Sequence, residues 1–242
     1  MKKALLILLA SSVLLQACLP PAFRAHPTLA QRAATIKTVL VAPPKVEVFE
    51  LGAGGMREKM DEWSDKAKKN IEAALQQSLA SRPALRARLL PEESLPQEVK
   101  SDLEETLLLY EAVDNAIVLH TYGPAPERFE EKFRNFDYSL GPETKKLKVD
   151  EADALLLIRA VDHVSSQGRI AQQVALVIVA AALGVAVVPQ GGTTALSIAL
   201  VDANSGLILW HQFLRAGGAY DLRDANSARR FIDYALEDFP LR

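Results

Sequence analysis

Few side chains in this sequence stand where they could do chemistry together. The four histidines, His26, His120, His163 and His211, are scattered, and no two are spaced four apart as they would be to hold a metal from one helix face. Asp162 and His163 are adjacent in a stretch that reads as a strand, so they point to opposite faces and do not serve one site. Asp61-Glu62 and Glu104-Glu105 fall in helical patterns, where neighbours diverge by about 100°; they read as solvated faces rather than a catalytic dyad. Ser165 and Ser166 lack the glycine-flanked elbow of a hydrolase nucleophile. Gly52-Ala53-Gly54-Gly55 lies between a strand pattern and a helical one, as a phosphate loop would. Arg57, however, stands where the dinucleotide fingerprint needs its third glycine, and no Gly-Lys-Ser/Thr follows, so the segment reads as a hinge. Trp63 and Trp210 read as core anchors. The expectation is therefore no catalytic residue, no metal, no cofactor and no enzymatic activity.

Cys18 is the exception. It is the only cysteine, which excludes an intramolecular disulfide and the Cys-rich zinc patterns. Before it come Lys2-Lys3, an apolar run from Ala4 to Leu15 and the small residue Ala17, the layout of an export signal too short to span a bilayer. Leu15-Gln16-Ala17-Cys18 resembles the bacterial lipobox. The resemblance implies a signal peptide over 1–17 and a lipidated, palmitate-bearing Cys18 as the first mature residue. Because Leu19 follows rather than Asp, it also implies the periplasmic face of the outer membrane.

These groups need a scaffold, and the rest of the chain supplies one. A formal charge of −2 argues against a general nucleic-acid binder. Residues 18–36, with Pro20, Pro21 and Pro27, read as a tether, and 37–242 as a single domain. Strands are expected at Lys37–Ala42, Lys45–Leu51 and Leu85–Leu90, with Pro43-Pro44 separating the first two. Helices are expected from Met56 to about Ala80 and from Gln97 to Val113 or beyond; Ala116–His120 either extends the second or forms a strand. Phe129 and Phe133 suggest a short helix within 114–150, a region whose role the pattern leaves open. Ala152–Ile158, continuing to Val164, reads as a buried strand. Thr193–Val201 and Leu207–Leu214, joined by Asp202-Ala-Asn-Ser-Gly206, read as a hairpin. An amphipathic helix from Asn226 to about Phe239 follows, with Asp224 or Asn226 as its cap.

Within this frame, Val174–Val188 forms an apolar, alanine-rich insert. A spanning helix needs about 20 residues, so the insert falls short of a full crossing. Its length favours a core element. The alternative is an exposed surface that enters a membrane shallowly or self-associates, with Val174, Val177, Ala181, Gly184 and Val188 as the contact residues and the small ones permitting close packing.

"ADALLLIRAVD", then "TTALSIALVDANSGLILWHQFLRAGG", then a terminal helix resemble the lipoprotein family of the curli secretion channel. They are similar too to the N-terminal domain of the Tol–Pal translocation protein, to lipoproteins that activate penicillin-binding proteins, and to uncharacterised bacterial lipoproteins. The resemblance covers about 37–80 and 152–236. It implies an α/β fold: a mixed β-sheet with helices packed on it, a C-terminal β-hairpin and a terminal helix. It also implies a non-catalytic, lipid-anchored module with envelope protein partners in assembly or secretion, with or without homo-oligomerisation. A pore subunit built with the 174–188 segment is the alternative, and an envelope hydrolase a third.

Overall fold

The computed structural model describes residues 23–124, 129–147, 152–186 and 191–241. The signal peptide, Cys18 and Val188 lie outside the described residues. Eight strands form one mixed sheet: β1 (Phe23–Ala25), β2 (Thr38–Val41), β3 (Lys45–Leu51), β4 (Arg57–Lys59), β5 (Arg86–Leu89), β6 (Ala154–Ser165), β7 (Thr193–Asp202) and β8 (Ile208–Gly217). Their order is β1-β8-β7-β6-β2-β5, with β3 on β6 and β4 on β3. The helices are α1 (Leu29–Ala33), α2 (Asp61–Ala80), α3 (Gln97–Ile117), α4 (Glu130–Asn135), α5 (Gln167–Ala182) and α6 (Ala225–Ala235). The expected mixed α/β fold, with a hairpin (β7, β8) and then a terminal helix, is the one observed.

Strand β6 organises the sheet. Its first residues pair in parallel with β2 (Leu40 opposite Leu155), and its later ones pair in parallel with β3 (Val48 opposite Asp162). Pro43 and Pro44 fall between β2 and β3, where the ladder passes from one strand to the next; proline, which cannot donate to a ladder, is tolerated at such a break. On the other side β6 pairs antiparallel with β7 from Ala154/Asp202 to His163/Thr193.

Both faces of the sheet are covered. Alternate residues of the central strands (Val39, Leu156, Ile158, Ile198) pack against α2 and α6 through Ile71, Leu75, Phe231 and Ile232. The intervening ones (Leu40, Leu155, Leu157, Val201) pack against α3 and the 136–147 segment through Leu103, Tyr110, Ile117 and Phe136. A bulge in β8 interrupts the alternation: Leu200 pairs with Trp210 but Val201 with Ile208. Leu209 and Trp210 consequently both join the α2/α6 core, and the next residue, His211, turns to the α3 face.

Three expectations are corrected and one alternative is resolved. Within the expected tether 18–36, the described residues are folded onto the sheet: Phe23–Ala25 pair with β8 (Phe23 opposite Gln212), and α1 follows. Gly52–Gly55 is the turn of the β3–β4 hairpin, with the Gly52 N–H donating to the Met56 carbonyl, so α2 begins at Asp61 rather than Met56. The glycines therefore do not abut a helix N-terminus, and the geometry a phosphate loop needs is missing. Of the two readings of Ala116–His120, extension of the helix is the one observed: α3 runs to Ile117 and passes into a π-helical turn, Val118–Tyr122. Lastly, the apolar insert is not core, as described below.

Candidate functional site

The most extended polar constellation among the described residues was not singled out from sequence. On the α3 face, Lys45 pairs with Glu111, and the other oxygen of Glu111 accepts from Arg159 Nη2 at 2.9 Å. Arg159 Nη1 donates to Asp114 Oδ2 at 2.6 Å, and Asp114 Oδ1 meets His211 Nε2 at 2.8 Å. Tyr122 closes the chain: its hydroxyl donates to the His211 carbonyl at 2.7 Å and lies 3.3 Å from His211 Nδ1. His211 is wholly buried and Asp114 nearly so. Burial works to raise the Asp114 pKa, but the His211 hydrogen bond and the His211 and Arg159 charges outweigh it and hold the carboxyl below its ordinary value. Hydrogen bonding to Lys45 likewise holds Glu111 low. Each charge has its partner inside the fold. The network ties α3 to β3, β6 and β8, which is the work of a structural lock.

One signal could have found it. On α3 the buried positions Leu103, Thr106, Tyr110, Asp114 and Ile117 recur at helical spacing, so Asp114 is a carboxylate on the apolar stripe. A buried carboxylate needs a cation, and Arg159, interrupting the apolar run of β6, is the one it meets.

Of the residues singled out from sequence, Asp162, His163 and Ser165 border one cavity of about 270 Å³ at the root of α5; the others lie apart. Asp162 and His163 do point to opposite faces. Asp162 accepts from Thr194 Oγ1 at 2.9 Å and the Leu222 N–H at 3.0 Å, whereas His163 stacks on Phe49 with ring centroids 5.5 Å apart. Burial raises the Asp162 pKa against those hydrogen bonds, and burial, with Arg57 and Arg215 nearby, lowers that of His163. His120 stacks on Phe129, and His26 binds Thr28. Asp61-Glu62 occupies the first turn of α2, where negative charge suits the helix dipole, and Glu104-Glu105 is exposed on α3. Ser166 caps α5 by accepting from the Arg169 N–H. Trp210 is buried against Phe239, while Trp63 lies under the Arg223 guanidinium at 4.3 Å. Among the described residues no group of three or more His, Cys, Asp or Glu could hold a metal. A wide groove of about 910 Å³ beside α1 is lined by Leu29, Ile36, Pro83, Leu85 and Leu241, with Lys37 and Arg86 as its charges. It has no carboxylate or histidine to work with them.

Helix α5 is what the fold leaves unused. It joins β6 to the approach of β7 and carries no charge after Arg169. Val174 (53 % exposed), Ile178 (64 %) and Leu183 (76 %) face outward, as do Ile170, Leu176, Val179 and Val185. Only Ala180 is buried, and only Arg169, Gln173 and Val177 on the same stripe are partly covered. Ala181 is exposed on the helix. A core element this is not. A helix apolar around most of its circumference has no reason to sit in water, and contiguous exposed apolar surface marks a contact with something else.

The helix also has a built stop. The Val185 N–H donates to the Ala180 carbonyl and the Gly184 N–H to that of Ala181, with Gly184 at φ +74°, a Schellman motif. Gly184 therefore ends the helix rather than lying in a helix–helix seam. Sixteen residues give a length of about 24 Å, short of the roughly 30 Å of a bilayer's hydrocarbon. No helix among the described residues is long and apolar enough to cross a membrane.

No family model matches the chain, and no curated protein does. Among solved structures, the chain is similar to a PelC dodecamer from Paraburkholderia phytofirmans at 11 % identity and a TM-score of 0.36, covering 90 % of this chain and 94 % of that one. It is similar to lipoprotein GNA1162 from Neisseria meningitidis at 13 % and 0.28, covering 75 % and 80 %. The LpoB C-terminal domain from Salmonella enterica is similar at 11 % and 0.27, covering 79 % and 93 %. At these scores the likenesses are distant, and nothing below rests on them.

Proposed function

We propose that this protein is a non-catalytic, lipid-anchored interaction module of the bacterial envelope, attached through Cys18 to the periplasmic face of the outer membrane and serving an assembly or secretion machine. The observation that carries the reading is the exposed apolar helix α5. The charges of the Asp114 network are engaged with one another, while the apolar side chains of α5 are left exposed for another molecule. The lipobox-like run ending at Cys18 supplies the anchor. One acyl chain holds a protein only marginally, and stable attachment needs more than one. The test is metabolic labelling with a radiolabelled fatty acid, followed by membrane fractionation. The wild-type protein takes up label and sediments with the outer membrane, and Cys18→Ser takes up none. Label-free wild-type protein, or recovery in the soluble fraction, overturns the proposal. Chemical crosslinking in intact cells then identifies the partners.

A further inference from the structure

We infer that the exposed segment Ile170–Val185 enters the same membrane leaflet that holds the N-terminal anchor, as a second, non-covalent lipid contact that sets which end of the sheet faces the membrane. The inference rests on the Cys18 anchor proposed above.

The topology brings the two contacts to one end. Strand β1 runs antiparallel to β8, with Ala25 opposite Trp210 and Phe23 opposite Gln212. The Phe23 end of β1 thus points toward the Gly217 end of β8. Gly217 pairs with Thr193, and Thr193 with His163. Two residues beyond His163, β6 ends at Ser165, and α5 leaves the sheet there. Cys18 is five residues before Phe23, a reach of at most roughly 18 Å. An acyl anchor on that short lead and an apolar helix leaving the same sheet end meet one surface together.

Charge at that end suits the surface. Arg169 lies in the first turn of α5. Leu51 pairs with both Ser165 and Arg57, which puts Arg57 at the root of the helix, and Arg215 stands opposite Ala195, two residues from Thr193. Three guanidinium groups therefore ring the base of an element that is uncharged from Ile170 to Ala186. Two carboxylates border the cavity at Ile170, and both are engaged: Asp162 by Thr194 and the Leu222 N–H, Asp221 by Arg223; those of Glu50 and Glu58 lie one register step further from that end. Basic residues at headgroup depth with an apolar body beyond them is the distribution an anionic lipid surface selects. The Schellman stop at Gly184 fixes the length so that the helix enters one leaflet and does not cross.

Because Cys18 is the only cysteine and acylation blocks its thiol, Ile178→Cys gives a protein with a single labelling site. The experiment uses the full acylated chain, labelled there with an environment-sensitive fluorophore and reconstituted at low density in phosphatidylethanolamine/phosphatidylglycerol vesicles. Leu108→Cys, at an exposed position of α3, is the control. The expected result is blue-shifted, several-fold brighter emission at position 178, quenched by nitroxide-bearing lipids, with water-like emission at 108. Acylated, vesicle-bound protein whose 178 probe stays in water overturns the inference and leaves the anchor standing. A shift that appears only at high protein density, with 178–178 crosslinks, also overturns it and assigns the face to a second copy. Protein that is not acylated at Cys18 overturns both readings together.

Discussion

The polar network around Asp114 and the helix α5 are inversions of the usual rule that polar groups face water and apolar groups avoid it. The network puts a carboxylate, a guanidinium and an imidazole inside the molecule. The helix puts valine, isoleucine and leucine outside it. The two inversions have opposite meanings because one is compensated within the chain and the other is not. Every charge of the network has a partner, which offsets much of the cost of burying it as long as the set is complete. Among the described residues α5 is covered only along the stripe of Arg169, Gln173, Val177 and Ala180, and its other apolar side chains are exposed. Buried polar groups with partners therefore speak of stability, and exposed apolar groups without them speak of an outside contact.

Breaking the network gives the largest effect. Asp114→Ala leaves Arg159 and the fully buried His211 without their carboxylate and is expected to cost about 3–5 kcal/mol in denaturant unfolding. Replacing Asp114, Arg159 and His211 together by apolar residues of similar volume is expected to cost less than the single change, because no charge is orphaned. If the single and triple variants lose stability equally, the network is not acting as a unit. Association with vesicles stays unchanged in both, for the fraction that remains folded.

Acid gives the next effect, and the two faces of the sheet respond with opposite signs. Asp114 has its folded pKa held below the ordinary 3.8, so its contribution is complete above that value and is lost as pH falls through the lower, folded one. Asp162 on the other face has its folded pKa raised, so protonation there favours the folded state as pH falls through that raised value. Urea titrations of wild type and Asp162→Asn, carried from neutral pH down through the carboxylate range, separate the contributions. The variant is expected to lose the small acid-side gain and to keep the steeper loss below it. Identical profiles for the two proteins would remove Asp162 from the account.

At the end of α5 the effects are local. Gly184→Ala places a side chain at φ +74° and is expected to cost about 1 kcal/mol of the final helical turn. Amide hydrogen exchange reads this as faster exchange at Leu183, Gly184 and Val185, the three N–H groups that bond back into the last turn. Ser166→Ala, which removes the N-cap, is expected to act similarly at Arg169.

How much of this the sequence disclosed follows from the range of the forces involved. The strands and the long helices were readable because burial imposes periods of two and 3.6 along the chain itself. So was the hairpin, whose Asp202 side chain accepts from the N–H groups of Asn204 and Ser205, local turn chemistry that the residue types announce. Beyond Asp114 on the apolar stripe of α3, the network was not readable, since its members at positions 45, 111, 114, 159 and 211 meet only through the sheet order. The β8 bulge further hid His211 by shifting it out of simple alternation. Strand β1 was missed because three residues carry no period, and their pairing depends on the distant β8 edge. For α5, the length of the insert pointed to a core element; only the position of the helix relative to the sheet decides that its side chains face outward.

The smallest effect on folding is expected at Ile178. Ile178→Ser exchanges an apolar side chain that is 64 % exposed. Its stability change in urea is expected to lie within about 0.5 kcal/mol, as for surface changes away from caps and charges. A core isoleucine cut to a small side chain typically costs about 2–5 kcal/mol. The same substitution removes apolar area from the element proposed to enter lipid, and it is expected to weaken retention on vesicles while leaving the unfolding curve in place. A residue that contributes nothing to folding and measurably to retention is held at that position by the contact it makes outside the chain. If Ile178→Ser instead shifts unfolding by several kcal/mol, α5 packs against its own protein in solution, and its exposure would no longer distinguish it from the interior.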